Sequence, residues 1–170
     1  MRGIYNLLTY FTKAALPLPA MFNPKLKLFV EGRKRVFDQL EKIDFSKDWA
    51  WFHAASLGEF EQAVPIMEAL KAEYPNYKIL VSFYSPSGYE NKKKHPLADA
   101  IVYLPIDTPK NAKRFVSLIQ PKLAFFIKYD IWPNFLKELK AHKIRTFLIS
   151  GAFRKDQIYF KPYGSLFREA

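Results

Sequence analysis

Four times along this chain a short apolar run breaks off at a Ser, Thr or Asp that stands beside the start of an amphipathic stretch. The runs are WAWFHAA (49–55), KILVSFY (78–84), AIVYLPI (100–106) and KLAFFIK (122–128), and a fifth, IRTFLIS (144–150), closes the series. Their lengths and their β-branched and aromatic content predict buried strands of a parallel sheet. Ser56, Ser85 before Pro86, Thr108 before Pro109, and Asp130 with Pro133 in the first turn are the expected helix starts. Side-chain oxygens of these residues satisfy free N–H groups, and proline tolerates the first turn. In the first helix, expected to run to Tyr74, the residues Phe60, Ala63, Val64, Met67, Leu70 and Tyr74 keep helical spacing and are expected to face the sheet. Such alternation makes βαβ units, and hence an α/β fold: a Rossmann-like parallel sheet of about five or more strands with flanking helices. Right-handed crossovers place all four turns at the carboxyl edge of the sheet, where open α/β folds bind ligands and where helix N-termini favour anions.

A chain of 170 residues that is 49% hydrophobic and 17% aromatic holds enough apolar material for one compact domain, which argues against disorder. It has no cysteine, so disulfides and thiolate metal sites are excluded, in keeping with a reducing compartment. The formal charge of +11 calls for an anionic partner. From Arg2 to Lys42 there are eight basic and three acidic residues, flanking the apolar run IYNLLTYFTKAALPLPAMF (4–22). A membrane span needs about 20 apolar residues with few interruptions. Lys13, Pro17 and Pro19 interrupt this run, and it lacks a small-residue cleavage site, so neither a span nor a secretory leader is expected. Beside Lys25, Lys27, Arg33, Lys34 and Arg35, it reads as a segment lying on an anionic bilayer surface. A helix packed against another part of the protein is the alternative. The expected division is residues 1–45, a membrane-associating helical segment, and residues 46–170, the Rossmann-like domain.

Several sites are missing. The six glycines form neither GxGxxG nor a P-loop, and there is no GxSxG elbow. His53, His95 and His142 lack ligand spacing, so no metal is expected. NKKKH (91–95) reads as a solvated helix end. The aromatics sit inside strands instead of on a basic face, so no nucleic-acid partner is expected. What remains is HAASLGEFEQ (53–62), with two carboxylates at the first strand-to-helix turn. Ser56-Leu57-Gly58-Glu59 fits a capping box, in which the glutamate reaches back to the cap's own N–H. The same glutamate lies at the edge where chemistry is done, so a general base is the other reading. Glutamine separates the two, since it serves a capping box but cannot take a proton. Glu61 projects elsewhere around the helix and reads as a surface acid.

In order along the chain, the segments resemble those of one family, the Kdo transferases (3-deoxy-D-manno-oct-2-ulosonic acid transferases) of lipopolysaccharide biosynthesis. His53, Ala54, Ser56, Gly58 and Glu59 match H-A-x-S-x-G-E. SPSGYE (85–90) is similar to the family's T-P-[TS]-G turn, and YLPIDTPKNAKRFVSLIQPKLAFFI to its Y-L-P-x-D-x-P…F…P-K-L segment. DIWPN (130–134) resembles its E-L-W-P-N turn, and NPKLKLFVEGRK its amino-terminal linker. The resemblance covers nearly the whole chain.

It implies the amino-terminal half of a GT-B glycosyltransferase. Such a half presents a lipid A precursor and the catalytic base to CMP-Kdo held mainly by a carboxyl-terminal domain, absent from these 170 residues. Transfer would be inverting, independent of metal and cofactor, and placed at the cytoplasmic face of the bacterial inner membrane; this part alone is expected to be inactive. Glu59 is the implied general base, kept ionised at neutral pH by the helix N-terminus. Ser56, Gly58, Ser85, Gly88, Asp130 and Arg154 are the implied substrate-binding residues. Gly58 would give the acceptor close backbone access, and Ser56 would shape the turn. Two departures stand out. Where the family reads M-E-T-E-L-W-P-N, this chain has Lys128 for one glutamate and Asp130 for the other. Where it reads N-A-R-L-S, this chain has Ser150 to Arg154. Two other readings remain: a non-catalytic α/β module docking on anionic membranes or a partner protein, and a nucleotide-sugar-binding domain, which would bind CMP or UDP alone.

Overall fold

The computed structural model describes all residues, 1–170. Four helices come first: α1 (Arg2–Ala15), α2 (Pro17–Ala20), α3 (Pro24–Lys34) and α4 (Val36–Leu40). Strands and helices then alternate as β1 (Trp49–Ala54), α5 (Leu57–Glu73), β2 (Lys78–Phe83), α6 (Pro86–Lys92), β3 (Ala100–Tyr103), α7 (Pro109–Ile119), β4 (Leu123–Ile127), α8 (Pro133–Ala141) and β5 (Arg145–Ile149). Two single 3₁₀ turns and α9 (Ser165–Glu169) follow. The sheet is parallel throughout, in the order β3-β2-β1-β4-β5. The Rossmann-like α/β expectation holds.

Strand periodicity divides the core between the two faces of the sheet. Trp49 and Trp51 of β1 pack with Leu80, Val102, Phe115, Phe126 and Phe135 beneath α4, α7 and α8. Ala50 and Phe52, one residue out of phase, pack with Phe60, Ala63, Met67, Ile79 and Val81 beneath α5 and α6. Every residue of β1 is buried, as befits the central strand.

The last strand departs from expectation. Arg145 to Leu148 are exposed, with Phe147 at 45% and Leu148 at 44%. β5 is one of the two edge strands, paired only with β4, and only α8 packs closely on it. The other edge strand, β3, lies between α4 and α6, whereas the apolar residues of β5 stay uncovered. Tyr74 also fails to face the sheet and is 55% exposed. It is the C-cap of α5, with φ −130° and ψ 70°, and so falls off the helical stripe.

Two helix starts are built as expected: the Ser85 hydroxyl accepts the Gly88 N–H and the Thr108 hydroxyl accepts the Asn111 N–H. The other two are not. Ser56 makes no side-chain cap bond, and Asp130 lies outside α8, whose N-cap is Trp132. A residue distant in sequence replaces it: the Asp107 carboxylate accepts the N–H groups of Asn134 and Phe135, each at 3.0 Å. Its Oδ2 also accepts the Tyr5 hydroxyl at 2.7 Å, which pins α1 to the carboxyl edge. From that anchor the segment of α1 and α2 turns Ile4, Leu7, Phe11, Leu18 and Phe22 outward, at 67–89% exposure. No helix is long and apolar enough to cross a membrane.

Candidate active site at the switch point

From β1 the chain winds outward through β2 to β3, then returns across β1 to β4. The order reverses between β1 and β4, so the helices after these two strands diverge to opposite faces and leave a crevice at their carboxyl ends. The turn after β1 carries Ser56, Gly58 and Glu59; the turn after β4 carries Lys128 and Asp130.

Glu59 is the third residue of α5 and only 7% exposed. Its Oε2 accepts a hydrogen bond of 2.6 Å, but from the Ala55 N–H, one residue ahead of the cap. The expected capping box is therefore displaced, because Ser56 gives its side chain to neither Glu59 nor the helix. Burial, first, and the charge of Asp130, second, push the Glu59 carboxyl above its ordinary pKa; the Ala55 N–H, Lys128 and His53 pull against them. Desolvation outweighs the helix N-terminus expected to depress it. Beside it Gly58 is exposed, and a Cβ there would meet nothing within 4 Å, so open space adjoins the turn.

Lys128 takes φ 62°, in the left-handed region, and its N–H donates to the Ile149 carbonyl at 2.7 Å. That reversal carries Asp130 back over the end of β1, where its Oδ2 lies 3.1 Å from His53 Nε2. His53 is fully buried. Its Nδ1 lies 3.1 Å from the Ser82 carbonyl and 2.9 Å from the Ser82 hydroxyl, which also accepts the Trp51 indole N–H at 2.8 Å. The Trp132 indole N–H donates to His53 Nε2 at 3.0 Å. A ring that accepts from Trp132 carries its proton on Nδ1 and gives it to Ser82. Asp130 Oδ2 is then buried without a donor.

The structure therefore brings Ser56, Gly58, Glu59 and Asp130 to one crevice. Ser85 adjoins it, since its N–H donates to the Ala55 carbonyl at 2.9 Å. Gly88 is buried against β2, where a Cβ would lie 2.5 Å from the Phe83 ring. Arg154 stands apart beyond β5, its side chain 69% exposed and 3.5 Å from Asp156. Glu61 is a surface acid paired with Lys92 at 2.7 Å. Sequence reasoning passed over His53, Trp132 and Asp107. A histidine in phase with Trp51 in a wholly apolar strand was the available signal for the first.

A parallel α/β sheet with a buried carboxylate at its switch point defines a Rossmann-like domain with a candidate site at its carboxyl edge. Residues 26–170 match the sequence model of the 3-deoxy-D-manno-octulosonic-acid transferases (kdotransferases), and the chain belongs to that family. It is similar to the 3-deoxy-D-manno-octulosonic acid transferase of Haemophilus influenzae, 35% identical over 104 residues, which are 60% of this chain and 24% of that protein. The protein of that name from Aquifex aeolicus is 36% identical over 115 residues, 67% of this chain and 31% of the relative. That from Chlamydophila psittaci is 35% identical over 104 residues, again 60% and 24%. The chain thus spans about a quarter to a third of the length of the curated relatives it matches.

Proposed function

We propose that this chain is the acceptor-side domain of a GT-B Kdo transferase that moves Kdo from CMP-Kdo to a lipid A precursor with inversion, Glu59 being the general base. The observation that carries the reading is the Glu59 carboxylate itself: nearly buried, at the switch point, raised in pKa and beside the open flank of Gly58. A base works best when its pKa lies near the working pH, and burial moves Glu59 in that direction. The acceptor hydroxyl gives its proton to Glu59 as its oxygen bonds to the anomeric carbon of Kdo; the bond from that carbon to the CMP phosphate breaks, and CMP leaves with the electron pair. Ser56 and Ser85 line the acceptor's approach, and Asp130, whose Oδ2 has no donor of its own, offers a second acceptor of hydrogen bonds. Arg154, on an exposed turn, is available to a donor held by a second domain. No cofactor is needed, since the leaving group is already activated in the donor.

The exposed apolar faces of α1 and α2 beside the basic α3 support attachment to an anionic bilayer, at the cytoplasmic face of the bacterial inner membrane, where such an acceptor would lie. In a protein of full family length carrying this segment, Glu59→Gln keeps the Ala55 bond and the fold, while Kdo transfer falls about 10²–10⁴-fold. Near-normal transfer by the folded variant would exclude Glu59 as the base and favour the non-catalytic docking module.

A further inference from the structure

Between α1, α3 and the start of α7 lies a cavity of about 360 Å³. Lys13, Arg33, Lys34, Lys110 and Arg114 line it, and no acidic side chain does. Arg114 is partly neutralised by Glu41, and Arg33 has both its terminal nitrogens engaged by the Phe29 and Tyr84 carbonyls. Lys13, Lys34 and Lys110 line the same cavity, are exposed and form no ion pair. With only Glu41 set against Arg114, the remaining cations about the cavity repel one another, and an entering anion would relieve that repulsion.

The remaining wall sorts the possible anions. Phe29 and Phe37 each have one face covered by a guanidinium group, at 3.4 Å for Arg33 and 4.2 Å for Arg114, which takes that face from any stacking ligand. Leu16 and Pro17, at the junction of α1 and α2, form the apolar rim. Beyond it Leu18, Met21 and Phe22 continue the apolar surface outward, at 70%, 76% and 89% exposure.

We propose that this cavity binds the phosphate monoester of an acylated amphiphile, the phosphate among Lys13, Lys34 and Lys110 and the acyl chains leaving over α1 and α2. A monoester carries up to two negative charges and three acceptor oxygens, which suits three ammonium donors better than a singly charged diester does. The inference rests on reading the chain as a lipid-acceptor domain, and gives that acceptor a phosphate subsite separate from the Glu59 crevice.

The 170-residue chain is sedimented with phosphatidylcholine vesicles doped with phosphatidic acid, or with phosphatidylglycerol at matched surface charge. The natural chain is expected to prefer phosphatidic acid by roughly fivefold or more. Lys13→Gln/Lys34→Gln/Lys110→Gln abolishes the preference and weakens binding about tenfold or more, whereas Lys137→Gln/Lys140→Gln/Lys155→Gln, equal in net charge, stays within about twofold. Equal loss in both variants, both folded by circular dichroism, would overturn the subsite in favour of diffuse surface charge. Inorganic phosphate at millimolar concentration should compete poorly; competition as effective as that of phosphatidic acid vesicles would overturn the lipid source. Glu59→Gln should bind vesicles as the natural chain does, so vesicle binding reports on the phosphate subsite alone and Kdo transfer reports on the base.

Discussion

Two carboxylates at the carboxyl edge, Glu59 and Asp107, owe their chemistry to burial. Asp107 accepts three hydrogen bonds, two of them from the α8 N-terminus, yet burial still pushes its pKa up to about 6. Its folded pKa therefore stands above the unfolded value, and between the two the folded state holds more protons. Stability should fall as pH rises from about 4 through about 6, the reverse of a salt-bridged aspartate. A carboxyl-carbon NMR titration is expected to show Asp107 with its midpoint near 6, and Asp107→Asn should flatten that part of the stability profile. A midpoint at or below 4 would contradict the burial argument. Asp107→Ala would strand two helix N–H groups and the Tyr5 hydroxyl, at a cost of about 1–3 kcal/mol by urea denaturation. For Glu59 the matching expectation is that Gln leaves stability at neutral pH unchanged or raises it, because the Ala55 N–H keeps an acceptor and a charge disfavoured by burial is removed.

At the scale of elements, close approach sets the seats of α3 and α6. Gly32 stands against Tyr103, where a Cβ would lie 2.2 Å from the ring, and Gly88 against Phe83. Gly32→Ala must move α3 off β3 or turn the tyrosine out, and should destabilise the fold by about 1–3 kcal/mol despite alanine's better helix propensity. Stability equal to or above that of the natural chain would show that Tyr103 yields freely. Arg33, one residue on, passes its guanidinium between the Phe29 and Tyr84 rings, and Tyr84 in turn packs on Trp132 at 4.8 Å. A displaced α3 should therefore be felt at His53 through Trp132, read as a shifted indole N–H resonance.

For the whole molecule, one end of the sheet gathers the crevice, the basic cavity and the outward apolar face of α1 and α2. Leu7→Ser/Phe11→Ser/Phe22→Ser should leave the fold intact, since all three are exposed, and weaken sedimentation with anionic vesicles about tenfold or more. Unchanged binding would remove that face from the attachment. The strand and helix pattern, the carboxyl edge and the Ser56–Glu59 turn were legible in sequence because each depends on local periodicity and turn chemistry. So were the Ser85 and Thr108 caps, formed within three residues. The tertiary fold alone decided that Asp107 and not Asp130 caps α8, that β5 lies bare at the edge, and that His53 meets Asp130. Sequence position determines which groups can bond to near neighbours. Which distant groups share a dry space, and so which carboxyl is raised and which cation left unpaired, is fixed only when the crossover from β3 to β4 folds the chain back over its first strand.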